Sequence, residues 1–227
     1  MSLPSSGLRT VLIEGPENNL LNPEVMDKLK RDLLDADADV ACEGILIAGK
    51  GDDFCGGLHL AGIRAGGDPV EYARKLVELL KVFPKLRKPI AAVVRGKAVA
   101  SGASIVASCD YAVASPEARI GSYEVAVGVW PMVAQVPIIR RLGPKMAMEN
   151  IGSGEPFDSQ RAFEVGLVNK VVEDDLLVSS ASSWLDLASR GKAANAGRVS
   201  FYEIAEMDLD SGLDYAIEKF AAQFRGN

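Results

Sequence analysis

Apolar residues along the chain form short continuous runs, separated by stretches in which they recur at helical spacing. Thr10-Val-Leu-Ile-Glu14 reads as a strand. Asn22-Pro23, after the turn-like run GPENN, places Asn at a cap and Pro in the first turn of a helix. The apolar positions Val25, Met26, Leu29, Leu33 and Leu34 predict the buried face of that helix, which ends near Asp35 to Asp39. Gly44 to Ala48 is a buried strand, and Gly49 to Asp68 is too rich in glycine for one regular element. Pro69 opens a second amphipathic helix, with Val70, Ala73, Leu76, Val77 and Leu80 on one side, which stops before Pro84. Pro89 to Val94 is a third apolar strand. Gly96 to Gly102 reads as a small-residue loop, Ala103 to Ser108 as a helix, and Tyr111 to Ala114 as a strand. From Met132 the pattern is mainly helical, broken at Gly154-Glu-Pro156 and by a short strand at Val168 to Val172. Helices near Leu176 to Ala188 and Val199 to Phe224 complete the chain. Strand, loop and helix alternate, which predicts α/β crossover units rather than a sandwich.

Composition narrows the function classes. The 227 residues, 48% hydrophobic, suit one working unit with a sizeable core. A net charge of -6, with no basic arm, argues against nucleic acid as a partner. Three separated cysteines, Cys42, Cys55 and Cys109, form no CxxC pair and fit a reducing compartment. No basic-then-apolar leader is evident in MSLPSSGLRT, and no apolar run approaches the ~18 residues of a membrane span. A cytoplasmic protein without membrane association is the expectation. The single histidine, His59, excludes any one-chain metal site with two His ligands and leaves one candidate for a Ser-His-Asp arrangement.

Two small-residue stretches follow buried strands: Phe54-Cys-Gly-Gly-Leu-His-Leu60 and Gly96-Lys-Ala-Val-Ala-Ser-Gly102. Such loops let backbone approach a ligand, and a following helix aims free N–H groups at it. They also serve simply as tight turns. Neither matches a dinucleotide fingerprint or a Walker A loop. With Ile120 to Pro131 they resemble, in order and spacing, three signature segments of the crotonase superfamily, the enoyl-CoA hydratase/isomerase fold. The similarity runs from about Val11 to Val172 and includes CDYAVA and EVGLVNKVV.

The resemblance implies an α/β crotonase-like spiral of ββα units over residues 1–172. It implies a helical C-terminal region, 173–227, for oligomerisation and pocket cover, and a homo-trimer or dimer of trimers. It also implies acyl-CoA thioester substrates, with coenzyme A arriving as part of the substrate and no tightly bound cofactor. The two oxyanion N–H donors fall on Leu58 and Ser101, flanked by Gly57, His59, Leu60 and Gly102. Of the two glutamates usual in hydratases, the second is Glu124 and the first is replaced by Ser104. A lone carboxylate suffices to move a double bond, whereas adding water generally needs two groups. The GLHL segment is also similar to the isomerase form of the family. Double-bond isomerisation is therefore preferred. Hydration, thioester decarboxylation or hydrolysis, and a catalytically weak assembly role are the alternatives. His59, at a family Asp position, reads either as structural or as a loop-positioning or acid–base group. Tyr123 is a candidate acyl neighbour, Trp130 a bulky side chain that would reshape the pocket, and Arg64, Lys97 and Lys219 candidate contacts for coenzyme A. Cys55 and Cys109 read as buried small residues.

Overall fold

In the computed structural model, which describes residues 7–224, the apolar runs assemble into one parallel sheet. Its strands β1 (Leu8–Ile13), β2 (Gly44–Gly49), β3 (Ile90–Val94), β5 (Tyr111–Ala114) and β8 (Lys170–Val171) lie in that order. The register sets Ile45 opposite Ile90 and Val93 opposite Val113. β2 and β3 are buried on both faces, which is why they read as unbroken apolar runs rather than alternating ones. Ile45, Ile47, Ile90, Ala92 and Val94 point into the main core. Leu46, Ala48, Ala91 and Val93 point the other way, onto Leu177, Ala181 and Leu185 of α8 (Leu177–Ala188). α8 is further seated by Trp184, whose ring stacks on Tyr111 at 4.8 Å.

The main core is closed by α2 (Pro23–Ala38) and α4 (Pro69–Leu80), both capped as their sequences predict. The Asn22 side chain accepts from the Val25 N–H, and that of Asp68 from the Val70 N–H. The buried face of α4 is Tyr72, Leu76 and Leu79, rotated from the expected stripe, and Val70 stays in solvent. Between strand and helix sit a one-turn α1 (Pro16–Asn19) and the short α3 (Leu60–Arg64).

A second, smaller sheet is the feature the hydrophobic pattern misses. It contains β4 (Lys97–Val99), β6 (Arg119–Gly121) and β7 (Phe157–Asp158), with β4 and β6 parallel and β7 antiparallel. These strands have two or three residues, too few for periodicity to register. The chain passes from β3 to β4 to α5 (Ser101–Ser108), then from β5 to β6 and onward to α6 (Gln135–Ser153). β3 and β5 thus each hand the chain to the small sheet before a helix, which is the ββα repeat of the expected spiral. The chain returns through α7 (Ser159–Glu164) to β8.

The single C-terminal helix expected over Val199 to Phe224 is two, α9 (Ala193–Ile204) and α10 (Leu209–Gln223), broken where Asp208 caps the second. Arg198 on α9 is buried. Its guanidinium meets both oxygens of Asp110 at 2.7 and 2.8 Å and donates to the carbonyls of Phe83 and Leu86. The Tyr202 hydroxyl also donates to Asp110. Burial, and then the Asp110 charge, push that phenol up to about 12. Among the described residues no helix is long and apolar enough to cross a membrane. The first six residues of the segment read for a leader lie outside the described ones.

Candidate active site

The two glycine-containing loops lie side by side because the first acts as an extra short strand against β4. The Cys55 N–H donates to the Lys97 carbonyl, and the Val99 N–H donates to the Cys55 carbonyl, both at 2.9 Å. That pairing carries Leu58 to the start of α5. A side chain at Gly57 would strike the Ala100 methyl at 2.7 Å and lie 3.6 Å from the Ser101 nitrogen. At Gly102 a Cβ would sit 2.4 Å from the Cys55 carbonyl oxygen. Glycine is required at both positions by the closeness of the two backbones.

Neighbouring N–H groups are consumed: His59 donates to Leu21, Leu60 to Leu58, Val99 to Cys55 and Ala100 to Gly121. The N–H groups of Leu58 and Ser101 are left over, with no protein acceptor among the described hydrogen bonds. Ser101 is the first residue of its helix, where no acceptor exists one turn earlier. Ala100, just before it, has φ 53 and ψ -122, a conformation that disfavours any side chain. The buried turn that aims the Ser101 N–H is therefore held by its surroundings. Two unpaired N–H groups on adjoining loops can accept one oxygen that acquires negative charge.

Glu124 opens a 3-10 turn, Glu124–Val127, directly after β6. One carboxylate oxygen, Oε2, accepts from the Ser122 hydroxyl at 2.5 Å and from the Tyr123 N–H at 3.0 Å. Oε1 has no protein donor among the described bonds. One oxygen is thus pinned and the other is free to take a proton. The turn that carries Ser101 and the glutamate share a frame, because the Ala100 N–H donates to the carbonyl of Gly121, three residues before Glu124, at 2.9 Å. Tyr123 is half-buried, and burial, then the neighbouring Glu124, raise its phenol above the usual range.

Other expected site residues lie elsewhere. Ser104 is 0% exposed, and its hydroxyl donates to the Ala134 carbonyl at 2.6 Å. It ties α5 to the segment before α6 and reaches no ligand space, a structural correction to its candidacy as a catalytic group. Trp130 is 42% exposed, with its Nε1 donating to Gln135, so it does not wall a buried pocket within one chain. His59 stands at the start of α3; its Nδ1 would lie 2.8 Å, and the Tyr72 hydroxyl 2.6 Å, from a Cβ at Gly62. The ring therefore packs over the first turn of α3, while the backbone carbonyl of His59 receives the N–H groups of Gly62 and Ile63. Leu60 begins the same turn. Arg64 and Lys97 are exposed and pair with no carboxylate among the described residues. Lys219 lies over the Tyr215 ring on α10. Cys55 and Cys109 are buried as expected; burial pushes the Cys55 thiol up to about 12 and Cys109 up as well, so neither supplies a thiolate nucleophile.

Sequence reading did not find Asn19, Ser122 or Asn150. Asn19, at φ 58, bridges the first loop by donating to the carbonyls of Lys50 and Asp53. Asn150 interrupts the buried stripe Ala147–Ile151 of α6, and a polar residue at such a position is a readable signal. No cluster of His, Cys, Asp and Glu suited to a metal occurs among the described residues.

Comparison with known proteins gives the family and agrees with the fold. Residues 4–220 match the family model described as enoyl-CoA hydratase/isomerase. The chain is 33% identical over 180 residues to the mitochondrial enoyl-CoA hydratase domain-containing protein 3 of Xenopus laevis, covering 78% of this chain and 61% of that protein. It is 26% identical to a probable enoyl-CoA hydratase of Bacillus subtilis, covering 94% of this chain and 93% of that one. The crystal structure of an enoyl-CoA hydratase from Mycobacterium smegmatis superposes with a TM-score of 0.90 at 26% identity, over 97% of this chain and 88% of the other. A family protein from Silicibacter pomeroyi gives 0.89 at 25% identity, over 98% of both chains. With the matched segment spanning both glycine-containing loops and Glu124, the chain belongs to the enoyl-CoA hydratase/isomerase family.

Proposed function

We propose that the protein processes acyl-CoA thioesters and shifts the double bond of an enoyl-CoA, with Glu124 as the base. The observation that carries this reading is the pairing of one half-pinned carboxylate with two N–H groups, on two adjoining loops, that have no acceptor among the described residues. In the proposed reaction Glu124 takes a proton from C2 of a 3-enoyl thioester. The C–H electron pair becomes a C1–C2 double bond, and the carbonyl π pair moves to the thioester oxygen. Leu58 and Ser101 N–H groups hold that dienolate oxygen, and the glutamic acid returns the proton to C4, leaving a 2-enoyl thioester. Charge that exists only in the intermediate and its transition states is what such donors stabilise.

Isomerisation is preferred over hydration because the position of the usual first glutamate holds Ser104, whose hydroxyl is sealed against Ala134. Hydration is the second reading, favoured by the hydratase names of the Bacillus subtilis and Mycobacterium smegmatis proteins. We assign Arg64 and Lys97 to the coenzyme A portion of the substrate, as exposed cations whose side chains pair with no carboxylate among the described residues. Trimeric assembly, singly or as a dimer of trimers, is part of the proposal. Exposed apolar residues on α10, among them Leu209, Leu213, Ile217 and Phe220, support it.

The test is a side-by-side assay with 3-enoyl-CoA and 2-enoyl-CoA. Double-bond migration should far outpace water addition, and Glu124→Gln should abolish it while the melting curve stays intact. Comparable hydration would overturn the isomerase preference, and full activity of Glu124→Gln would overturn the base assignment.

A further inference from the structure

Asn150 is 1% exposed, on the second half of α6, and its side chain makes three hydrogen bonds. Its Oδ1 accepts the Ser122 N–H at 2.6 Å, and its Nδ2 donates to the Ser122 carbonyl at 2.9 Å and to the Glu155 carbonyl at 2.6 Å. One side-chain amide therefore grips both backbone groups of Ser122, as a neighbouring strand would. That grip fixes where the Ser122 hydroxyl begins, and the hydroxyl is what holds Oε2 of Glu124. The residue before Ser122 is Gly121, whose carbonyl receives the Ala100 N–H and so steadies the turn that aims Ser101. The base and one oxyanion donor thus both depend on the two-residue segment that Asn150 clamps.

We propose that Asn150 is a positioning residue which, through Ser122, sets the carboxylate of Glu124 against the oxyanion loop. The inference rests on the reading of Glu124 as base. An amide fits the task better than an apolar side chain, because only a group with both an acceptor and donors satisfies the Ser122 N–H and carbonyl together. A hydroxyl donor gives Oε2 one preferred direction, so that Oε1 is the oxygen presented for proton transfer. Displacing a catalytic group by about 1 Å can lower a rate by roughly 10²-fold, even from a residue that never touches substrate.

The experiment measures exchange of the C2 protons of butyryl-CoA with D2O by NMR, a reaction that needs only the base and the oxyanion donors. The variants are Glu124→Gln, Ser122→Ala, Asn150→Leu and the Ser122→Ala/Asn150→Leu pair, with butyryl-CoA binding measured separately. Ser122→Ala and Asn150→Leu should each slow exchange, Asn150→Leu by on the order of 10²-fold, with the binding constant unchanged. The double variant should be no slower than the slower single one, because both act on the same carboxylate. Where Asn150→Leu folds poorly, Asn150→Gln keeps both the acceptor and the donors on a longer side chain and should give a smaller loss of the same kind. Wild-type exchange rates in both Asn150 variants, losses that follow weakened binding, or additive losses in the double variant would overturn the inference. If Glu124→Gln is inert while the Asn150 variants exchange normally, this inference alone fails. If Glu124→Gln exchanges normally, the base assignment fails first.

Discussion

Substituting Gly102 by alanine tests whether the contact between α5 and the first loop builds the oxyanion hole. The added Cβ would stand 2.4 Å from the Cys55 carbonyl oxygen and 2.9 Å from the Cys55 Cβ. A carbon and a carbonyl oxygen settle at about 3.3 Å, so the surfaces must part by about 0.9 Å. Neither can yield by rotating a side chain, since the nearest atom is backbone and the Cys55 carbonyl is already committed to the Val99 N–H. The strain falls on the helix start, and the Ser101 N–H, one residue away, moves with it.

Oxyanion donors act at about 2.7–3.1 Å from the charged oxygen, so a displacement of this size removes one of the two. The loss of one donor lowers kcat by about 10²–10³, or about 2.7–4 kcal/mol. Overpacking of this kind costs about 1–3 kcal/mol in stability, leaving most of the protein folded at room temperature. Steady-state isomerisation of 3-enoyl-CoA, with a thermal melt on the same sample, reads both quantities. A Gly102→Ala protein that melts lower and keeps the wild-type kcat would refute the reasoning, since the strain would have been absorbed without moving Ser101.

Two further predictions concern stability. Arg198→Leu leaves the largely buried Asp110 carboxylate with the Tyr202 hydroxyl and the Ile90 N–H as its partners among the described residues, and takes from the Leu86 carbonyl its donor. A loss of about 3–5 kcal/mol is expected, seen as a melting point lower by about 2–4 °C for each kcal/mol. A variant within about 1 kcal/mol of the wild type would show that α9 is not held by this pair. The second concerns alkaline pH. Burial raises the Cys55 thiol in the folded protein to about 12, above the ordinary thiol range, so the unfolded chain ionises first. The stabilising contribution is complete below the unfolded pKa and is lost as pH rises from about 9 toward 12. Urea unfolding across that range should show a shallower fall in stability for Cys55→Ala than for the wild type, and identical slopes would refute the assignment.

What the sequence disclosed follows from the length of the feature. Strands β2 and β3 and helices α2 and α4 were legible because each repeats its pattern several times, and their caps, Asn22 and Asp68, are residue types that bond to free helix N–H groups. The small sheet was not legible, since two or three residues carry no period. Yet that sheet makes the site, because β4 aligns the Cys55 loop and β6 delivers both Gly121 and Glu124. Glu124, Leu58 and Ser101 were reached only through a resemblance of three short segments, as nothing in spacing alone joins positions so far apart in sequence.

The absent first glutamate was visible at Ser104, but its consequence was not. A serine can orient water in one setting and pack a helix in another, and only the 2.6 Å bond to Ala134 separates these roles. The same bond bears on any attempt to restore hydration by Ser104→Glu. The position is fully buried, so a longer charged side chain has to expel the Ala134 segment before it can meet substrate. The site's chemistry is therefore constrained by packing as well as by the missing carboxylate. Glu124 escapes that constraint because it lies on a half-exposed turn, held from behind by Ser122 and free on one oxygen. A base that must take a proton from one carbon and return it to another needs one fixed anchor and one unclaimed oxygen. A group that must also manage water needs a second partner, and the Ser104 hydroxyl, buried and spent on the Ala134 carbonyl, is not presented as one, which is why the isomerase reading is the one proposed.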